Sequence, residues 1–227
     1  MGCTSSKTIQ PFHEMSPEEK DEVIKLMETE DKDLKYENID VEYKNYNWEE
    51  MMNLIPYKKE DSTKRFNLFQ QLNNSKKSYI SCKRLKINLT NYLKLPELVR
   101  KKDPIKLASE CAINQFKRND EFYEVLEWRE FRFLLYYLKQ YFTYWEKFQK
   151  NDPSGDHKIT LDEFKEALPI INLFLENIDE YDFYKLLYNG EETISFDDFC
   201  FDMIEKSIEL QKEDNNYDNR ELKNFMA

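Results

Sequence analysis

The clearest pattern in the chain is a run of apolar positions at helical spacing, Leu138, Tyr141, Phe142, Trp145 and Phe148. After a short polar interval it resumes at Phe164, Leu168 and Ile171. Residues three and four apart share one helix face, so the two runs predict a helix, a loop and a second helix, with these side chains turned to a core. Upstream, Phe66, Phe69 and Leu72 repeat the pattern before another polar interval. A different signal precedes it. Ser16-Pro17-Glu18-Glu19 combines an N-cap hydroxyl, a first-turn proline and an acid three residues on, which predicts a helix from Pro17 to about Glu30. A short helix near Trp48 to Leu54 is expected to follow, and the Asp-, Asn- and Glu-rich tail from 213 to 227 is expected to be disordered.

The polar interval between the first two runs, DPSGDHKITLDE from Asp152 to Glu163, carries the chemistry. Asp152, Ser154, Asp156 and Glu163 stand at positions 1, 3, 5 and 12 of a twelve-residue loop. Lys158 offers its backbone carbonyl at position 7, and Thr160 stands at position 9, which holds a water. Those are the oxygen donors that a Ca²⁺ ion gathers in an EF-hand loop. Ile159, at position 8, is the apolar residue that pairs across to a second loop. Two departures lower the expected affinity. His157 replaces the usual glycine at position 6 and must take a positive φ at some steric cost, and Ser154 brings a neutral oxygen where aspartate is common. An ion-free loop of the same shape is the competing reading. Zinc is disfavoured, since no Cys or His stands at zinc spacing beside His157.

The same template fits three more places, each imperfectly. From Leu187 to Asp198, Ile194 falls at position 8, but Leu187 cannot ligate and Asp198 is shorter than glutamate. Any ion there would be weak, with Mg²⁺ as plausible as Ca²⁺. From Asn73 to Arg84, Ile80 falls at position 8, yet Lys77 and Arg84 occupy ligand positions 5 and 12. From Asn119 to Glu130, Leu126 and Glu130 are in place while Tyr123 replaces a donor. The expected fold is therefore all-α, with four helix-loop-helix units in two pairs, three of them degenerate, behind an N-terminal helical extension. The expected segments are 1–14 as a lipid anchor, 15–63 as the extension, 64–139 as a degenerate basic pair, 140–212 as the pair with the competent loop, and 213–227 as the tail.

The stretch Glu124 to Ile171, with its EVLEWREFRFLLYYL run and EFKEALP continuation, resembles the calflagins, a family of flagellar calcium-binding proteins. The resemblance extends more loosely from about Phe66 to Phe199. It implies a doubly acylated calcium sensor on a flagellar membrane. In that family the third and fourth hands both bind Ca²⁺, whereas here only the third keeps its ligand pattern. The first residues agree with this. Met1-Gly2-Cys3-Thr4-Ser5-Ser6 fits N-myristoylation of Gly2, and Cys3 offers the second acyl site. One acyl chain holds a protein to a bilayer marginally and two hold it stably.

Charge and composition narrow the picture. The net charge of −11 resolves into about −8 over residues 1–63, +11 over 64–118 and −14 over 119–227. The basic block, including Lys83, Arg84, Lys86, Arg100, Lys101 and Lys102, is either a solvated surface or one drawn to anionic lipid head groups, at roughly 1 kcal/mol per cation. Nucleic acid is not expected as a partner, because the acidic remainder would be repelled. A protein target is expected, and its groove would come from the apolar faces beside the third loop. No apolar run approaches a membrane span and no signal-peptide region follows Met1. Cys82, Cys111 and Cys200 lack redox or metal spacing and are expected to be reduced thiols. With two histidines and no glycine-rich phosphate loop, an enzyme is not expected. The leading expectation is a membrane-tethered calcium sensor or buffer on the cytoplasmic face of a ciliary or flagellar membrane. The alternative is a structural axonemal or cytoskeletal protein with little calcium regulation.

Overall fold

The computed structural model describes residues 11–37, 46–73, 77–116, 124–151, 157–173, 175, 178–186 and 192–211. Residues 1–10 of the expected anchor segment, Gly2 and Cys3 among them, loop residues Asp152, Ser154 and Asp156, and the tail from 213 lie outside the described residues. The chain is mostly helical. Its first helix, α1 (Pro17–Glu30), starts as the sequence predicts. The Ser16 hydroxyl accepts from the Glu19 N–H at 3.3 Å and the Glu19 carboxylate accepts from the Ser16 N–H at 2.8 Å, closing a capping box behind Pro17. The short α2 (Trp48–Asn53) follows, one residue shorter than expected.

The body then runs α3 (Ser62–Asn73), β1 (Tyr79–Ser81), α4 (Cys82–Leu93), α5 (Glu97–Lys102), α6 (Pro104–Asn114), β2 (Val125–Glu127), α7 (Trp128–Asn151), β3 (Lys158–Thr160), α8 (Leu161–Ile171), α9 (Glu180–Leu186), β4 (Thr193–Ser195) and α10 (Phe196–Gln211). The four short strands form two antiparallel ribbons. In one, Ile80 lies opposite Leu126, and in the other Ile159 lies opposite Ile194. All four are buried, so the position-8 side chains of the loop template sit at the cross-strand centre of each ribbon.

Helix α7 organises the core. It runs without a break through the expected 139/140 boundary, leaving β2 at its N-terminus and ending before the Asp152 loop. Trp128, Phe131, Leu134, Tyr137, Tyr141, Tyr144 and Trp145 are all buried along it, and so many buried large side chains require neighbours packed around the helix. Those neighbours are α6, α8, α10 and α2. A single buried cluster extends from Ile80 and Leu126 through α7 to Ile159 and Ile194. Burying each large apolar side chain contributes about 1.5–3 kcal/mol. One polar network crosses it. The Gln140 amide donates to the Ser207 hydroxyl at 2.6 Å and its oxygen accepts from the Tyr144 hydroxyl at 3.2 Å, which fixes α10 against α7.

The extension divides its packing. Helix α2 lies on the middle of α7, where Trp48 faces Phe142 at 6.0 Å between ring centroids and Lys139 donates to the Met52 carbonyl at 3.4 Å. Residues 11–31 instead lie on the β1–β2 ribbon, where Phe12, Met27, Tyr79 and Val125 form a small buried cluster. No described helix is long and apolar enough to cross a membrane.

Candidate metal centre

In three of the four stretches that fit the loop template, the ninth position caps the following helix. Ser81 accepts from the Arg84 N–H at 3.0 Å, Thr160 from the Glu163 N–H at 3.3 Å and Ser195 from the Asp198 N–H at 3.1 Å. In the second unit the cap comes from the other side, the Glu130 carboxylate accepting from the Glu127 N–H at 2.8 Å. This capping role was overlooked in the loop template, although Thr-Leu-Asp-Glu at 160–163 is a capping-box sequence.

At the third loop, His157 has φ 57°, the left-handed conformation that position 6 requires. Its ring stacks on Trp145, with centroids 5.5 Å apart and planes 21° apart, and its carbonyl accepts from the Phe196 N–H at 3.0 Å. The loop is thus turned at His157 and tied to the fourth unit. Lys158 and Thr160 follow on β3, and Glu163 stands in the first turn of α8. The Glu163 carboxylate accepts from the Thr160 N–H and hydroxyl, both at 2.8 Å. A metal would draw that carboxylate from its cap. Among the described residues no group of three or more acidic, His or Cys side chains converges on one point, and the three remaining donors, Asp152, Ser154 and Asp156, lie outside them. The donor set is all oxygen and the position-6 turn is made. Both suit a hard divalent cation.

The other units show what replaces an ion. In the first, the Asn73 amide donates to the carbonyls of Lys77 and Tyr79 at 2.9 and 3.0 Å, which are loop positions 5 and 7. The Arg84 guanidinium at position 12 donates to the Asn73 carbonyl at 2.9 Å. A side-chain amide thus satisfies the Tyr79 carbonyl at position 7, the backbone oxygen that faces the metal in a working loop. In the second, Arg129 Nε lies 3.1 Å from the carboxylate of Glu127, itself buried. In the fourth, the Ser195 hydroxyl donates to Asp198 at 2.5 Å. Leu187, Asn189 and Glu191 lie outside the described residues, as does Tyr123 of the second loop.

The basic block is partly neutralised within the chain. Arg84 pairs with Asp31 at 2.6 Å and with Glu30 at 3.5 Å, Lys86 with Asp103, and Lys101 with Glu97 at 3.1 Å. Arg100 lies 5.8 Å from the Tyr36 ring centre. The three described cysteines are free thiols, Cys111 and Cys200 buried and Cys82 half-buried. Burial, helped by Glu205 and Glu110, pushes the Cys111 thiol up to about 12.

Residues 53–138 match the family model described as FCaBP EF-hand domain, so the chain carries an EF-hand domain. That span holds α3 to the middle of α7 and both strands of the first ribbon, and it stops before the Asp152 loop. A flagellar calcium-binding protein of Trypanosoma cruzi is 26% identical over 160 residues, covering 67% of this chain and 76% of that protein. The two matches support a calflagin-like family for the chain.

Proposed function

We propose that this protein is a calcium-binding sensor or buffer of a cilium or flagellum, tethered to the cytoplasmic face of the membrane by acyl chains on Gly2 and Cys3. In this reading Ca²⁺ binds the third of four helix-loop-helix units, through Asp152, Ser154, Asp156, the Lys158 carbonyl, Thr160 and Glu163. The observation that carries it is His157 at φ 57°, because a residue with a Cβ takes that conformation where the loop geometry demands it. The flagellar setting rests on the Trypanosoma cruzi relative. The fourth unit acts as a scaffold through the Ile159–Ile194 pair, with at most weak Ca²⁺ or Mg²⁺ binding at Asp198. Attraction to anionic head groups falls chiefly to Lys83 and Lys102, since Arg84, Lys86 and Lys101 are engaged by carboxylates of the chain.

The tether is tested by metabolic labelling and fractionation. Wild type should incorporate myristate and palmitate and partition with membranes. Gly2→Ala should lose both labels and become soluble, while Cys3→Ser should keep the first and bind weakly, as a single chain does. Unchanged fractionation of Gly2→Ala would contradict the proposal, and retention of an unlabelled protein on detergent-stripped axonemes would favour a structural role.

A further inference from the structure

Residues 11–31 contact the β1–β2 ribbon at three points of different chemistry. At one end, Asp31, only 1% exposed, accepts from the Ser81 hydroxyl and from Arg84 Nε. At the other end, Glu127 accepts from the His13 backbone N–H at 2.5 Å and lies 2.7 Å from the His13 ring nitrogen Nδ1. Between them Phe12 is fully buried, 5.6 Å from the Tyr79 ring. The register places Ser81 opposite Val125 and Glu127 opposite Tyr79, so the two polar contacts grip diagonally opposite corners of the ribbon.

The residues gripped are also informative. Ser81 and Arg84 hold loop positions 9 and 12 of the first unit, and Glu127 holds position 9 of the second. In the third unit those positions are Thr160 and Glu163. In a working hand, ligands at such positions converge on a cation, which fixes the loop against the exit helix and the ribbon. Here Asp31 supplies charge opposite to Arg84, and Arg129 supplies it opposite to Glu127, whose carboxylate also takes hydrogen bonds from His13.

We propose that residues 11–31 form a strap that locks the β1–β2 ribbon, doing for the metal-poor pair what a bound ion does for a competent loop. The first pair is then held in one conformation with or without calcium, and conformational response is left to the second. This inference depends on neither the calcium assignment nor the acylation.

Amide hydrogen exchange on the full chain tests it. In wild type, protection of Lys20 to Met27 and of Ile80 and Leu126 should be the same, within about threefold, in excess Ca²⁺ and in chelator. Asp31→Asn leaves the partly buried Arg84 charge without its closest counter-charge and should speed exchange at these amides by about tenfold or more. Ser81→Ala removes the hydrogen bond to Asp31 and the cap on the Arg84 N–H without unpairing a charge, and at Lys20 to Met27, which that cap does not touch, it should speed exchange by about fivefold, so the proposal stays testable if Asp31→Asn folds poorly. Exchange at these amides unchanged in Ser81→Ala, or wild-type protection of α1 that collapses when calcium is chelated, would overturn the strap.

Discussion

The imidazole of His157 lies stacked on the indole of Trp145 while its own backbone sits in the left-handed region. Two opposing terms therefore meet at one residue. The left-handed conformation costs a residue bearing a Cβ about 1–2 kcal/mol, and an aromatic pair returns about 0.5–1.5 kcal/mol. His157→Gly removes both and should change the urea-unfolding free energy by less than about 1 kcal/mol, whereas His157→Val keeps the strain, loses the stack and should cost about 1–3 kcal/mol. Equal destabilisation by the two variants would show that the turn at His157 is not strained.

The Ile159–Ile194 pair predicts a second pattern. Each side chain is buried at the centre of the β3–β4 ribbon, so either Ile→Ala change should cost about 2–5 kcal/mol in chemical denaturation. The residues face each other, and the double variant should fall short of the sum by at least about 0.5 kcal/mol. Strict additivity would mean that the two loops are stabilised independently.

These relationships differ in how far the sequence displayed them. The apolar positions Ile80, Leu126, Ile159 and Ile194 and the capping box at Ser16 were legible because they obey local spacing rules, which a single loop or helix turn imposes. The positive φ of His157 was legible for the same reason. The strap was not. Arg84 read as a residue that excludes Ca²⁺ from its loop, and its partner Asp31 lies 53 residues earlier on a segment with no loop template. Charge pairing across such a distance leaves no periodicity. The basic block likewise looked like an exposed surface because composition records the charge of Arg84 and Lys86 but not their engagement by Asp31 and Asp103. Of the candidate metal ligands, the described residues place Lys158, Thr160 and Glu163 together on β3 and the start of α8.

The buried thiols and phenols give a pH prediction. Burial raises the ionisation of Cys111 to about 12, and also raises that of Cys200, Tyr137, Tyr141 and Tyr144. Unfolding returns thiols to about 8.5 and phenols to about 10. Above those values the unfolded chain sheds protons that the folded chain keeps, so stability falls as pH rises. The contribution is intact below about pH 8.5 and is lost progressively above it. Urea midpoints should decline from pH 9 to 10.5, and at pH 8 a thiol reagent should modify Cys82 well before Cys111 or Cys200. A midpoint that climbs over the same range would contradict the burial of these groups.

The central claim is that the loop from Asp152 to Glu163 is the dominant calcium site, and calorimetric titration of wild type beside Glu163→Gln tests it most directly. The substitution keeps side-chain size and removes the charge that binds a Ca²⁺ ion with both oxygens. The predicted result is one dominant site in wild type and none in Glu163→Gln, with both proteins folded. Two equal sites in wild type, or a site that survives in Glu163→Gln, would contradict the account.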